Sequence, residues 1–506
     1  MLPFSWKSIM SNEAFITLKR VSKHFGSVKA LDGINLTFNK GEVHCLAGKN
    51  GCGKSTLFKV ISGVHAPEKG AEIVLDGKTY SRLNPQQSIE HGIQVIYQDL
   101  SLFPNLTVAE NIAVQDHMAW TKGLVKQTRL DAIAKAAMDK VGVSLPLTKR
   151  VEQLSIAECQ LVAICRAMAS DAKLVIMDEP TASLTRTEVN SLIKVVADLK
   201  SKGITVVFVS HKLDEVMEIS DRITVIRDGK TIGTYPADEM NSDELAFLMT
   251  GQRFEYSPLG EYKQQGDVKL EVTNLTKKAQ FNDINLQVRA GEIVSITGLL
   301  GSGRTELCLA LFGMTKPDSG QMKVNGKLVE FSSNREAIAH GIGYVSEDRM
   351  STGLVMEQSI QDNTTATVLS RLKKPNGFLD HVKATSLVRK LISSLSIKVA
   401  DPMLPVTSLS GGNAQRISIA KWIAAEPDVL ILDSPTVGVD IANKESIYQI
   451  AKDLALKGMA IIMVSDEIPE VFYNSHRVIV MKDGYFSHDF HPITSSEKEI
   501  MEAVNA

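Results

Sequence analysis

Residues 48–56 read GKNGCGKST, a match to the phosphate-binding pattern of a glycine, four residues and then Gly-Lys-Ser/Thr. The apolar run 42–47 before it predicts a buried strand, and residues 57–61 after it predict a helix. Glycines let backbone N–H groups face phosphate oxygens, and the helix adds its positive N-terminus. A chance glycine turn is the alternative, and the flanking strand and helix argue against it. The predicted contact residues are Gly48, Lys49, Asn50, Gly51, Cys52, Gly53, Lys54, Ser55 and Thr56.

The composition is that of a globular protein, with 44% hydrophobic and 23% charged residues among 506. A net charge of −2 argues against a general nucleic-acid binder, which usually carries a basic excess. No apolar run approaches the roughly 20 residues that span a bilayer, and the N-terminus lacks the pattern of an export signal. We therefore expect a chain that is neither exported nor inserted by itself.

The cysteines are not arranged as Cys-x-x-Cys pairs, and most lie in apolar settings. This pattern predicts reduced, structural thiols of a cytosolic protein, not a metal site or a disulfide framework. They are Cys45, Cys52, Cys159, Cys165 and Cys308.

Uniformly apolar strands alternate with helices along the first half of the chain. Residues 14–40 predict short strands joined by turns, and residues 68–97 predict a further strand-and-turn region. Residues 174–178 and 205–209 predict buried strands on either side of a helix at about 186–202. This alternation predicts a mostly parallel sheet covered on both faces.

The same order of features recurs in the second half. Gly41-Glu42-Val43 returns as Gly291-Glu292-Ile293, 250 residues later, and Val209-Ser210-His211 returns as Val464-Ser465-Asp466, 255 residues later. So small a drift over a whole domain predicts two copies of one fold. A polar stretch near residues 256–266 predicts the join.

Acidic and polar residues follow the predicted strands of the first copy. Asp178 is suited to hold Mg²⁺, directly or through water, and Glu179 to orient or deprotonate an attacking water. Gln98 could reach the metal and the water, and His211 the γ-phosphate. Taken singly, Gln98 and His211 would more often be structural residues, so the ordered set carries the catalytic interpretation. Phe25 could stack on a nucleotide base or could equally be a core aromatic.

The order of these motifs resembles that of ATP-binding cassette (ABC) ATPases, over essentially residues 14–500. The second copy carries Leu409-Ser410-Gly411-Gly412-Asn413, which is close to the family signature Leu-Ser-Gly-Gly-Gln. The resemblance implies an α/β fold of two tandem P-loop NTPase domains, each with a mainly parallel core sheet, an antiparallel β subdomain and a helical subdomain. It implies a first cassette at 14–252, a linker at 253–268 and a second cassette at 269–506.

More narrowly, the chain resembles the two-cassette ATPase subunit of bacterial monosaccharide importers of the ribose, xylose and galactose type. The second loop has Arg304 where lysine is usual, Glu347 takes the glutamine position, and the first signature is a degenerate Leu154-Ser155-Ile156-Ala157-Glu158. This resemblance implies ATP and Mg²⁺ as cofactors and a peripheral position at the cytoplasmic face of the inner membrane. It implies membrane permease partners and, through them, a periplasmic sugar-binding protein, and no nucleic acid.

In that family, the segments after Gln98 and Glu347 dock the permease. Leu102 and Phe103 are candidate apolar contacts there, with core packing as an equal alternative.

The resemblance also implies that the cassettes pair head to tail, so that each nucleotide lies between one loop and the opposite signature. The first site would combine Lys54, Ser55, Gln98, Asp178, Glu179 and His211 with Ser410, Gly411, Gly412 and Asn413. The second would combine Gly298, Gly301, Gly303, Arg304, Thr305, Glu347 and Asp433 with Ser155 of the poor signature.

Two residues of the second copy depart from the pattern of the first. Ser434 stands where the first copy has Glu179, and Asp466 stands where it has His211. The importers that the chain resembles usually keep a glutamate at the position of Ser434. Serine has no useful basicity near neutral pH, and an aspartate would repel the γ-phosphate. The sequence therefore predicts that the first site hydrolyses ATP and the second binds it structurally, although a tolerated substitution at Ser434 is the alternative.

Two other functions compete with transport. Soluble two-cassette ATPases that act on ribosomes have a long charged linker, a basic balance and two catalytic glutamates, whereas this chain has a short join, a net charge of −2 and Ser434. A catalytically idle regulatory module is the third possibility, and Glu179 and His211 argue against it.

Overall fold

The computed structural model describes residues 13–505 except 27, 116–125, 182–183, 185, 211, 254–256, 263–265 and 440. The chain divides into two compact units, Met1–Phe254 and Glu255–Ala506. The division falls inside the segment that we expect to be the linker, 253–268.

The first unit contains a six-stranded and a four-stranded sheet. Its strands are β1 (Ala14–Phe25), β2 (Val28–Asn39), β3 (Val43–Ala47), β4 (Glu72–Leu75), β5 (Lys78–Tyr80), β6 (Ile93–Ile96), β7 (Leu174–Asp178), β8 (Thr205–Val209), β9 (Arg222–Arg227) and β10 (Lys230–Pro236). Its described α-helices are α1 (Lys54–Ile61), α2 (Pro85–Glu90), α3 (Val108–Ile112), α4 (Gln127–Val141), α5 (Ile156–Ala169), α6 (Arg186–Ser201), α7 (Leu213–Ile219) and α8 (Ser242–Thr250).

The six-stranded sheet has the order β10-β9-β3-β8-β7-β6 and is parallel except at its β10 edge. Every residue of β3 and β8 is buried, as expected for strands that are covered on both faces. Asp178 pairs with Val209 in the parallel register, so the residues that follow β7 and β8 lie together at the carboxyl ends of the parallel strands. The predicted parallel core sheet is confirmed.

The four-stranded sheet is antiparallel, in the order β2-β1-β4-β5. Here the expectation of short strands over 14–40 was wrong, because β1 and β2 are 12 residues each. Within β1 the chain forms a bulge between Leu18 and Val21 and continues as one strand. Arg20 takes a left-handed φ of 53° and donates its N–H to Oδ1 of Asn35 at 3.0 Å.

The strand-and-turn expectation over 68–97 also missed α2. Asn84 and Gln87 form a capping box, in which the Asn84 side chain accepts from the N–H of Gln87 at 2.8 Å and the Gln87 side chain accepts from the N–H of Asn84 at 3.0 Å. Pro85 occupies the first helical turn. A capping residue followed by proline and, two positions later, glutamine is a helix-start signal that the sequence already carried.

The second unit repeats this architecture. Its strands are β11 (Val268–Lys277), β12 (Phe281–Arg289), β13 (Ile293–Thr297), β14 (Ser319–Val324), β15 (Lys327–Val329), β16 (Ile342–Val345), β17 (Val429–Asp433), β18 (Ala460–Val464), β19 (Arg477–Lys482) and β20 (Tyr485–Phe490). Its described α-helices are α9 (Arg304–Leu311), α10 (Asn334–Ala339), α11 (Ile360–Thr365), α12 (His381–Ser394), α13 (Gly411–Ile423), α14 (Ile441–Leu456), α15 (Ile468–Asn474) and α16 (Glu497–Asn505).

The sheets of the second unit have the orders β12-β11-β14-β15 and β16-β17-β18-β13-β19-β20. Written from the opposite edge, the larger order matches that of the first unit strand for strand. Shared topology of this kind confirms that the repeat in the sequence is a repeat of the fold.

The cysteines and the polarity of the helices can be described for both units together. All five cysteines are free thiols, and all except the half-buried Cys159 are buried. Among the residues described, no helix combines the length and apolar character that crossing a membrane requires.

Candidate functional site

The loop 48–53 connects β3 to α1 and holds the Lys54 side chain against its own backbone. The Lys54 ammonium donates to the carbonyl of Gly48 at 2.6 Å and to that of Lys49 at 3.0 Å. Lys49 in turn donates to the carbonyl of Thr250 at 3.1 Å, which ties the loop to the end of α8. The ammonium is thus buried at the N-terminus of α1, where a phosphate would be attracted by both the charge and the helix.

Two glycines give the loop its shape in different ways. Gly53 has φ +111°, and a Cβ built on it would lie 2.4 Å from the carbonyl oxygen of Ala30. Gly51 has φ +78°, but among the described residues no heavy atom lies within 4 Å of its Cβ position. Gly53 is therefore needed for close packing as well as for its backbone angle.

Ser55 and Asp178 meet as the sequence predicts. The hydroxyl of Ser55 donates a hydrogen bond to Oδ2 of Asp178 at 3.1 Å. This contact brings two oxygen atoms that could ligate a metal together beside Lys54. Burial raises the pKa of Asp178, and the bond from Ser55 opposes that shift. Hard oxygen donors at a phosphate loop suit Mg²⁺, so the residues present fit the ion that the motif implies.

Glu179 follows Asp178 in a left-handed backbone conformation, φ 50°. Its N–H donates to the carbonyl of Val209 at 3.1 Å, so the turn is fixed against the neighbouring strand. A non-glycine residue in this region is strained by roughly 1–2 kcal/mol, and such strain is often found at functional sites.

The other predicted residues of the first unit are less constrained. Gln98 lies exposed in the turn after β6. Phe25 ends β1 with 46% of its surface exposed and contacts the ring of His65 edge-on, so it is not a core aromatic. Phe103 is also exposed, whereas Leu102 is partly buried against the core. His211 lies outside the described residues.

The second loop has nearly the same backbone. Gly303 has φ +100°, and a Cβ there would lie 2.4 Å from the carbonyl oxygen of Gln280. Thr305 donates to Oδ1 of Asp433 at 3.4 Å, as Ser55 does to Asp178. Gly298 and Gly301 occupy the positions of Gly48 and Gly51.

The side chains around that loop differ. The hydroxyl of Tyr344 donates to Oδ2 of Asp433 at 2.8 Å, a contact that sequence reasoning missed because the corresponding residue, Val95, is apolar. Burial lowers the pKa of Arg304, and the nearby Asp466 and Asp433 oppose that shift. Partial burial, together with Asp433 and Asp466, raises the pKa of Glu347. The second loop therefore lies near three carboxyl groups, those of Glu347, Asp433 and Asp466, as well as the Arg304 guanidinium.

Ser434 takes the same turn as Glu179. Its φ is 45°, and its N–H donates to the carbonyl of Val464 at 3.0 Å. The backbone turn that carries Glu179 in the first unit is thus kept in the second, where Ser434 has no carboxylate.

In the signature of the first unit, the serine and a nearby glutamate bond to each other's backbone. Ser155 caps α5 in a capping box, in which its hydroxyl accepts from the N–H of Glu158 at 3.2 Å and the Glu158 carboxylate accepts from the N–H of Ser155 at 2.8 Å. The neighbouring Ile156 is 55% exposed. A carboxylate already lies at this helix N-terminus, where it would repel a phosphate.

The signature of the second unit is open by comparison. Ser410 precedes α13, and within the described part of the chain its hydroxyl makes no bond to an N–H of the first helical turn. That hydroxyl accepts from Nδ2 of Asn413 at 3.0 Å, while Oδ1 of Asn413 accepts from the N–H of Lys398. Gly411 and Gly412 leave the first turn without side chains. This helix N-terminus has no carboxylate in its first turn, and Nη2 of Arg349 would lie 3.2 Å from a Cβ on Gly411.

In the first unit, a further residue links the signature helix α5 to the turn that follows β7. Gln160 on α5 donates to the carbonyl of Pro180 at 2.9 Å, directly after Glu179. Its sequence signal is a polar residue at a buried position of an amphipathic helix.

Comparison with known proteins places these motifs in a family. The sequence model described as ABC transporter matches residues 31–182 and 281–437. The chain is 39% identical to the "Ribose import ATP-binding protein RbsA" of Bacillus subtilis over 96% of its own length and 98% of that protein. It is 40% identical to a "Putative ribose/galactose/methyl galactoside import ATP-binding protein" of Geobacillus kaustophilus, over 94% of each chain. It is 38% identical to the "Ribose import ATP-binding protein RbsA" of Yersinia pestis, over 97% of each.

The geometry of the first loop yields a stability prediction. We expect Gly53→Ala to unfold at a lower temperature than Gly51→Ala, because both gain the strain of a positive φ but only the first gains a clash with Ala30. Overpacking costs about 1–3 kcal/mol, and each kcal/mol lowers the Tm of a domain of this size by about 2–4 °C. Calorimetry of the two variants measures the difference, and equal melting temperatures would contradict the packing argument.

Proposed function

The chain belongs to the ABC transporter family, and we propose that it is the ATP-hydrolysing subunit of an importer for a monosaccharide of the ribose type. The ABC domains make it an ATPase whose hydrolysis is coupled to transport. The choice of substrate class rests on the similarity of this chain to sugar-import ATP-binding proteins along nearly their whole length.

Within this function, the first unit hydrolyses ATP. Lys54 holds the β- and γ-phosphates, and Glu179 orients or deprotonates the attacking water. Ser55 and Asp178, with Gln98, would hold Mg²⁺, which supplies charge stabilisation to the phosphates when bound. The contact of Ser55 with Asp178 at 3.1 Å supports this assignment. His211 is assigned to the γ-phosphate from its place in the sequence.

The second unit binds nucleotide without efficient turnover. Its loop keeps Arg304 and Thr305, whereas Ser434 offers no base and Asp433 accepts a bond from Tyr344. General-base catalysis is worth about 10²–10⁴-fold, so its loss is sufficient to make this site slow.

The two signatures support an unequal division of labour. We assign the signature at Ser410 to the site of Lys54 because its helix N-terminus is glycine-rich and has no carboxylate in its first turn, which suits a γ-phosphate. We assign the signature at Ser155 to the site of Arg304, where the Glu158 carboxylate weakens it.

In this function, the movement of the cassettes as they close and open must be transmitted to a membrane permease. We propose that the loops after Gln98 and Glu347 dock it. Each loop is tied to the signature helix of its own unit by a cation. Arg166 donates to the carbonyls of Leu100 and Ser101, both at 2.8 Å, and Lys421 donates to the carbonyl of Gly353 at 2.6 Å. A movement of either signature helix would therefore reach the docking loop directly.

The proposal places the chain at the cytoplasmic face of the inner membrane, bound to permease subunits and through them to a periplasmic sugar-binding protein. A soluble ATPase acting on ribosomes is the competing function. The exposed Phe103 in the docking loop favours an apolar protein partner over nucleic acid.

The assignment of the general base predicts the effect of two substitutions at matching positions. Glu179→Gln should lower steady-state ATP turnover by at least about 10²-fold, because the amide cannot accept the proton of water. Ser434→Ala should leave turnover nearly unchanged. Phosphate release by the purified chain measures both, and substantial turnover in Glu179→Gln would contradict the proposal.

The assignment of the signatures predicts a second contrast. Ser410→Ala should lower turnover by about tenfold or more, since it removes a hydroxyl aimed at transition-state charge. Ser155→Ala should chiefly destabilise α5, by about 1 kcal/mol for a lost cap. Turnover and thermal unfolding are measured on both variants. An equal loss of turnover in the two would argue against the division of labour.

Sugar uptake tests the proposed substrate class. In a bacterial strain that lacks this chain, we expect the wild-type chain to restore uptake of radiolabelled ribose, xylose or galactose, and Glu179→Gln to fail. Sedimentation of the same lysates separates membranes from ribosomes. A chain that sediments with ribosomes and leaves uptake of all three sugars unchanged would favour the competing function.

A further inference from the structure

A buried glutamate connects the two catalytic loops of the first unit. Oε2 of Glu215 accepts from the hydroxyl of Thr181 at 2.6 Å and from the hydroxyl of Ser210 at 3.0 Å. All three residues are almost completely buried. We call these three residues the hydroxyl–carboxylate bridge.

The bridge lies beside the proposed catalytic residues without being one of them. Thr181 comes two residues after Glu179, and Ser210 immediately precedes His211. Ser210 also accepts from the N–H of Lys212 at 3.1 Å, so its hydroxyl fixes the start of the segment after β8. One carboxylate oxygen thus ties the turn that carries the proposed base to the segment that carries the proposed γ-phosphate contact.

The turn at Glu179 needs such an anchor. Its left-handed φ of 50° is strained, and a strained residue keeps its conformation only when the flanking residues hold it. On one side, the N–H of Glu179 is bonded to the carbonyl of Val209. On the other side, Thr181 is held by Glu215. Between these two, Gln160 holds the carbonyl of Pro180 at 2.9 Å. Loss of the bond from Thr181 to Glu215 would weaken this restraint on the turn while β7 stays in place.

The second unit has the same bridge. Glu470 accepts from the hydroxyl of Thr436 at 2.9 Å and from the hydroxyl of Ser465 at 2.6 Å. These residues occupy the positions of Glu215, Thr181 and Ser210, each 255 residues later. Ser434 keeps the left-handed turn there although its side chain is no base.

Each of these two glutamates also forms an ion pair with a lysine. The two lysines occupy different positions in the two copies. Lys212 lies 3.4 Å from Glu215 and is replaced by Glu467 in the second unit. Lys444 lies 2.8 Å from Glu470 and is replaced by Val189 in the first unit. The pairing of the buried glutamate with a lysine is therefore present in both copies, although the lysine comes from a different position.

We propose that Glu215 is a positioning residue for ATP hydrolysis, which holds the turn of Glu179 and the end of β8 at Ser210 in register through the hydroxyls of Thr181 and Ser210. The proposal rests on the assignment of hydrolysis to the first unit. It assigns to Glu470 the same structural role at a site that contributes little turnover. A purely structural role for both glutamates is the alternative, and it predicts equal effects of equal substitutions.

The experiment compares Glu215→Gln with its matched control Glu470→Gln in the complete chain. Glu215→Gln should lower kcat by about tenfold to a hundredfold, the range expected when a reacting group is displaced by up to 1 Å. Its dissociation constant for a fluorescent ATP analogue should stay within about twofold of the wild type, because the loop 48–56 is untouched. Glu470→Gln should also lose thermal stability, since Lys444 loses one of its two carboxylate partners and keeps only Glu467, and yet keep its kcat.

Thr181 supplies a second pair of variants if Glu215→Gln fails to fold. Thr181→Val removes the hydroxyl at nearly constant volume and should lower kcat, whereas Thr181→Ser should restore it. Glu179→Gln is measured in the same series, so that retained turnover in Glu179→Gln identifies a failure of the proposed function itself. If Glu179→Gln is inactive, wild-type kcat in Glu215→Gln or in Thr181→Val would overturn the positioning role. Equal loss of kcat in Glu215→Gln and Glu470→Gln would also overturn it.

Discussion

Parallel pairing of the buried central strands is the constraint on which both sites depend. β3 pairs with β8, and β8 with β7, so the phosphate loop, Asp178 and Ser210 all leave the sheet at one edge. Main-chain hydrogen bonds fix this register, and the burial of both faces prevents it from slipping. The contact of Ser55 with Asp178 joins residues 123 positions apart in the sequence, and it follows from the strand order. The same strand order in the second unit produces the contact of Thr305 with Asp433.

Much of this arrangement could be predicted from the sequence, because phosphate loops and parallel strands have strong local signals. The loop 48–56, the strand ending at Asp178 and the repeat were all accessible in this way. The antiparallel sheet was less so, since the bulge at Arg20 resembles a turn when only polarity is considered. Tyr344 and Glu215 could not have been found, because their importance comes from partners distant in the sequence. A tyrosine in an apolar strand and a glutamate in a helix have no distinctive local pattern.

The two units serve as an internal comparison of one backbone with two sets of side chains. The left-handed turn persists at Glu179 and Ser434, and the tight glycine persists at Gly53 and Gly303. What changes is the chemistry attached to that backbone. Packing restricts the glycines and the turn in both copies, whereas the residue that the turn carries changes from glutamate to serine.

The capping box at Ser155 has an evolutionary consequence. Its Glu158 stabilises α5 by filling the helix N-terminus, so a change of Ile156 to glycine would not by itself recreate an anion site there. Removing Glu158 would in turn take away one half of the capping box and so cost helix stability. A glycine-rich signature without a carboxylate at this helix therefore takes at least two substitutions, and one of them weakens the helix itself.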